Sequence, residues 1–352
     1  MRPRLDSIGH NDEAPSGGPS ALVTLIILLL AGGLIAILVA WNKAGGLSPS
    51  TANGQSHRVP AHIAIKTALD AAHHHLRQNE ATKAEAILRD AVGLYPADQE
   101  LRIAFGESLM ALRTFPAAYE QYVAALAIGP RTAEVEFTAG TLANSIGKPD
   151  RSVEHYAAAQ RADPKNPAYP LYLAQVQLKR NETEAAKVNL MLAARLDPES
   201  AIAWGTLADV ALRENNVNIA LQHVAKAREL QPNVGAWRMV EARALKRKGD
   251  VEPALLVLAG LTAAEKREPL VLSLLGECFG MANRPAEAGN VYADASDTKP
   301  DDANLAYEAA AWFARAEQTD KAMVFALRAR ENRHPQAEKL LERLGKEQSP
   351  AR

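Results

Sequence analysis

Cysteine is almost absent. Cys278 stands alone among 352 residues, so no intrachain disulfide can form and no CxxC metal or redox site exists. It lies among apolar residues, which predicts a buried structural thiol. Aromatics are scarce, at 5%. That argues against a β-sandwich or a large aromatic core. With alanine very frequent, it favours helices packed closely through small side chains. An excess of either charge is missing too. Lys and Arg number 40 against 41 Asp and Glu, which gives no overall pull toward nucleic acid. Zinc-protease, P-loop and serine-hydrolase motifs (HExxH, GxxxxGKS/T, GxSxG) do not occur. Nothing in the chain therefore points to an enzyme, a cofactor or a metal.

One long apolar run is present. Residues 21–41, "ALVTLIILLLAGGLIAILVAW", carry no charge, and about 31 Å of helix crosses a bilayer core. The run is too long for a signal-peptide core and "NKAGG" behind it makes a poor cleavage site, so a transmembrane helix over 20–41 is expected. Arg2 and Arg4 precede it and Lys43 follows. This balance puts the N-terminus in the cytoplasm and the bulk of the chain on the outer side; Arg58 narrows the margin. Gly32, Ala36 and Ala40 form a small-xxx-small row. Such rows pair spans into homo-oligomers, and they also occur in ordinary apolar helices. Residues 1–19 and 42–60 are rich in Gly, Ser, Pro and Asn and read as a disordered tail and a flexible linker.

The rest of the chain repeats. Eight units of 34 residues run without a gap: 65–98, 99–132, 133–166, 167–200, 201–234, 235–268, 269–302 and 303–336. Position 8 of each is Ala72, Gly106, Gly140, Ala174, Ala208, Ala242, Gly276 and Ala310. Position 20 is Ala or Ser152, and position 27 is Ala except Leu261. Position 32 is proline at Pro96, Pro130, Pro164, Pro198, Pro232 and Pro300, where it stops a helix. Small residues in phase let two helix backbones approach closely. Position 24, with Leu88, Tyr122, Tyr156, Leu190, Val224, Leu258 and Tyr292, is expected to fill the space between units. Near position 15, Asn79, Gly147, Asn181, Asn215, Gly249 and Asn283 suit a left-handed turn. Residues 337–345 are expected to cap the array and 346–352 to form a polar tail. Unit six departs from the pattern, with Leu261 at position 27 and Lys266 where proline is expected, and Pro335 comes one residue late in unit eight; altered packing and a soft point are expected there.

This pattern resembles the tetratricopeptide repeat (TPR) family, carried in unit five by Trp204, Leu207, Ala208, Ala220, Val224 and Pro232. The resemblance covers about three quarters of the chain. It implies an all-α, right-handed α-solenoid of about eight TPR helix pairs over 61–345, with a capping helix. It also implies a protein or peptide partner held in a groove lined by positions 2, 5, 9 and 12 of the first helices. Lys179, Arg213, Arg243, Lys246 and Arg247 fall on or beside that groove in units four to six; Glu100, Glu107 and Glu134 fall there in units two and three. A basic stretch suits an acidic segment or a C-terminal carboxylate; solvated surface charge explains the same residues. The Lys/Asn carboxylate clamp of some family members is absent, because Leu69 and His73 occupy those positions. His73, His74 and His75 point about 100° apart on a helix and do not converge on one ion. His155 and His223, both at position 23, show no partner in the sequence.

The expected function is a membrane-anchored interaction scaffold that assists assembly or maturation of an envelope complex. Two alternatives are a self-associating structural protein and a non-catalytic subunit of a membrane enzyme complex.

Overall fold

The computed structural model describes residues 59–348. The expected tail, span and most of the linker lie outside the described residues, and so does the small-xxx-small row. Among the described residues no helix is long and apolar enough to cross a membrane.

Those residues form 17 α-helices and one short 3-10 turn. The chain divides into two compact units at His155 and Tyr156. The first holds α1 (Ala61–Arg77), α2 (Ala81–Leu94), α3 (Gln99–Ala111), α4 (Phe115–Ile128), α5 (Ala133–Ser145) and the start of α6 (Pro149–Ala162). The second holds the rest of α6, then α7 (Ala168–Lys179), α8 (Thr183–Leu196), α9 (Ala201–Arg213), α10 (Val217–Leu230), α11 (Gly235–Lys248) and α12 (Val251–Ala259). It continues through α13 (Pro269–Met281), α14 (Pro285–Thr298), α15 (Ala303–Arg315), α16 (Thr319–Glu331) and α17 (Ala337–Gln348). Helices α1 to α5 in the first compact unit and α7 to α17 in the second each pack on their neighbours in sequence, the nearest-neighbour stacking of a solenoid. Helix α17 runs to Gln348, three residues past the expected cap.

The small columns explain the packing. Every residue at positions 8, 20 and 27 is buried, Leu261 included. Ser152 replaces alanine at position 20 without a buried polar loss, because its hydroxyl donates to the Gly140 carbonyl at 2.9 Å. Position 24 does more than fill space between units. It closes on position 8 of its own unit: a Cβ on Gly106 would stand 2.6 Å from the Tyr122 ring, and one on Gly276 would stand 2.9 Å from that of Tyr292. Where position 8 is alanine, position 24 is Leu, Val or Ala. Large and small residues are matched within the helix pair.

The turn at position 15 is left-handed in all eight units, including Arg113 (φ 57°) and Glu317 (φ 58°), where neither Gly nor Asn marks it. Arg333 (φ 64°) adds a ninth such turn before α17. Position 34 supplies helix N-caps that the repeat pattern left unread: Asp98 Oδ1 accepts from the Leu101 amide at 2.9 Å and Asp302 Oδ1 from Leu305 at 3.2 Å.

Unit six departs as its sequence does. Helix α12 is only 9 residues long, against 14 for most second helices. Without the proline, a 3-10 turn (Glu265–Arg267) follows, held by Thr262 and Glu265, and Lys266 Nζ donates to the released Ala259 carbonyl at 2.7 Å.

Candidate functional site

The first helices α1, α3 and α5 form one face of the first compact unit. Two clefts open on it. One, of about 440 Å³, lies between α1 and α3 and holds Lys66, Leu69, Asp70, His73, Asp98 and Glu100. The other, of about 520 Å³, lies between α3 and α5. Its walls are Ile103, Met110, Tyr122 and Val135, and its carboxylates are Glu107 and Glu134. Glu100, Glu107 and Glu134, expected on this face, are all exposed there. Desolvation within the cleft raises the Glu107 carboxyl above its ordinary value; His73 opposes the rise and Glu134 adds to it. His73 Nε2 stands 4.0 Å from Glu107 Oε2. Burial also raises the Tyr122 hydroxyl, which hydrogen-bonds Thr138.

The five basic residues lie in the second compact unit, and they are not a bare positive patch. Asp209 accepts from Arg213 Nε at 3.0 Å and from Arg243 Nη1 at 2.9 Å. Lys246 pairs with Glu277, and Arg247 donates to the Leu212 carbonyl. Lys179 is exposed. The expectation of an acidic partner therefore loses its footing at Arg213, Arg243 and Lys246. Sequence reasoning counted the bases and passed over Asp209 and Glu277. Reading position 9 down units five to seven shows the signal: Asp209, Arg243, Glu277 alternate in sign.

The helix pairs also carry contacts that the sequence reading missed. Positions 4 and 23 of a unit face each other. In unit three they are Glu136 and His155, with Oε2 to Nδ1 at 2.7 Å; Arg131 Nε donates to Oε1 at 2.6 Å. Glu136 is 1% exposed, so both oxygens of a buried carboxylate are used. The Tyr119 hydroxyl lies 3.4 Å from His155 Nε2, and Lys148 sits 5.0 Å above the Tyr119 ring. In unit five the pair is Trp204 and His223, with ring centroids 5.5 Å apart. Burial, then the charge of Lys187, lower the His223 value. In unit two, Arg102 Nη1 donates to Gln121 at 3.1 Å. One geometric slot holds three chemistries, and it binds each helix pair together.

The three consecutive histidines turn to different neighbours. His73 faces Glu107, His75 Nδ1 pairs with Glu80 at 2.7 Å, and His74 meets the edge of the His75 ring. Cys278 is fully buried, and burial raises its thiol.

No family model matches the chain, and no curated protein matches it. Solved structures do. A tetratricopeptide repeat protein from Parabacteroides merdae is 18% identical over 70% of this chain and 98% of its own, with a TM-score of 0.52. Pseudomonas aeruginosa pilF is 18% identical over 62% of this chain and 99% of its own, with a TM-score of 0.51. The fold is that of the tetratricopeptide-repeat class: helix pairs of 34 residues stacked through small-residue columns.

Proposed function

We infer that the chain is a non-enzymatic interaction scaffold. It holds a segment of a protein partner on the face formed by the first helices of its first compact unit. The observation that carries this reading is the pair of open clefts on that face, whose apolar walls and exposed carboxylates are presented together. Repeats and cap account for nearly every described residue, and their side chains serve packing, turns and caps. The apolar run at 21–41 supports anchoring in a membrane, with the N-terminus cytoplasmic and the repeats outside. A tethered scaffold of this kind suits assembly or maturation of an envelope complex, a step taken from architecture alone.

The test is site-specific photo-crosslinking in the full chain. A photoreactive residue replaces Ile103 or Met110 on the first-helix face of the first compact unit, or Leu256 on a second helix. One partner captured from the first two positions and not from Leu256 is the expected result. Capture from Leu256 alone overturns the reading. Labelling of an introduced surface cysteine by a membrane-impermeant reagent tests the orientation. A second reading, self-association, is favoured by Val188, Leu256 and Val324. These occupy position 22 in units four, six and eight, with 67%, 77% and 56% exposure. Sedimentation that depends on concentration would support it.

A further inference from the structure

The cleft between α3 and α5 is chemically one-sided. Two carboxylates, Glu107 and Glu134, share it, and neither lysine nor arginine lines it. They are close enough that Glu134 raises the Glu107 value. Its walls are a long apolar side chain (Met110), a branched one (Ile103) and the ring of Tyr122. In the second compact unit the acids at position 9, the place Glu107 holds in its own repeat, are Asp209 and Glu277, and they are already matched by Arg213, Arg243 and Lys246. Among the described residues, the ion-pair neighbour of Glu107 is His73, at 4.0 Å. The adjoining cleft sets Asp70, Asp98 and Glu100 against Lys66.

An amphipathic cation fits that arrangement. The methylene stem of a lysine or arginine covers the apolar walls, and its charged head reaches the carboxylates. An acidic segment would meet like charge, and a purely apolar one would strip water from two carboxylates without replacing it. We propose that this cleft receives a lysine or arginine side chain from a basic segment of a protein partner. The proposal rests on the first-helix groove reading above and names the partner chemistry for the first compact unit.

The test uses the full chain in mild detergent and short fluorescent peptides of alanine and leucine carrying two arginines or two lysines. A third peptide carries citrulline, which keeps the shape of arginine without its charge. At least one basic peptide should bind, and the citrulline peptide should bind about tenfold or more weakly. The double variant Glu107→Gln, Glu134→Gln should weaken the basic peptide by a similar factor, and Asp209→Asn should not. Circular dichroism on every variant excludes unfolding. A photoreactive residue at Met110 should crosslink to the basic peptide. Equal binding of the citrulline peptide, equal binding by the double variant, or no binding of either basic peptide overturns the proposal. If first-helix crosslinks to a natural partner survive in the double variant, the groove reading stands and this inference falls.

Discussion

Gly106 and Tyr122 occupy one space. A methyl group on Gly106 would lie 2.6 Å from Cε2 of a ring that is only 4% exposed. Alanine normally stabilises a helix over glycine by about 1 kcal/mol. Overpacking a core costs about 1–3 kcal/mol, so Gly106→Ala is expected to destabilise by a net ~1 kcal/mol. Gly93, with nothing within 4 Å of its Cβ site, is the control: Gly93→Ala should stabilise by about 0.5–1 kcal/mol. Denaturant melts check both. Adding Tyr122→Leu to Gly106→Ala recreates the Ala72 and Leu88 combination of unit one and should recover part of the loss.

Arg113 and Glu317 stand in left-handed turns with exposed side chains. The conformation costs a side chain with a Cβ roughly 1–2 kcal/mol. Four sibling turns use asparagine at the same place. Arg113→Asn and Glu317→Asn are each expected to stabilise by about 0.5–1 kcal/mol. Their effects should add, which thermal melts of the single and double variants would show.

The Glu136 and His155 pair should matter for stability more than any surface ion pair. Removing one partner of a buried pair costs about 3–5 kcal/mol. Arg131 remains on Glu136 in a His155→Ala variant, so a loss of about 2–3 kcal/mol is expected. A double-mutant cycle with Glu136→Gln should give a coupling of about 1 kcal/mol or more. Coupling near zero would mean that the contact is incidental.

Glu107 links stability to pH with a defined sign. Its folded value lies above the ordinary 4.5. The folded state therefore binds this proton more tightly than the unfolded chain. That contribution is full below the unfolded value and is lost as pH rises through the folded value. Glu107→Gln is expected to be more stable than the native chain at neutral pH, and the difference should close in acid. Melts across the carboxylate range test it. A variant that gains stability and loses peptide binding would mark the carboxylate as kept for recognition.

The helix pairs were legible because their cause is periodic. Alanine, glycine, asparagine and proline recur in phase, and each has a local physical meaning. The turns at Arg113 and Glu317 carried no such mark, since the stacked helices on either side impose the backbone there. Charges were harder to read. Arg213 and Arg243 look basic in sequence, yet Asp209, in a helix shared with one and adjacent to the other, neutralises both. Glu136 looks like a surface residue and is buried, because its partner His155 lies on the second helix. Pairings across two helices depend on two columns at once, and single columns do not show them.

The matching of position 8 to position 24 also fixes what can be inherited separately. A whole unit exchanged for another brings both residues and keeps its packing. A crossover between the two helices would set the alanine of one unit against the tyrosine of another, or a glycine against a leucine. The first crowds the pair and the second leaves a hole. Recombination in this chain is therefore tolerated at the joints between units and penalised within them.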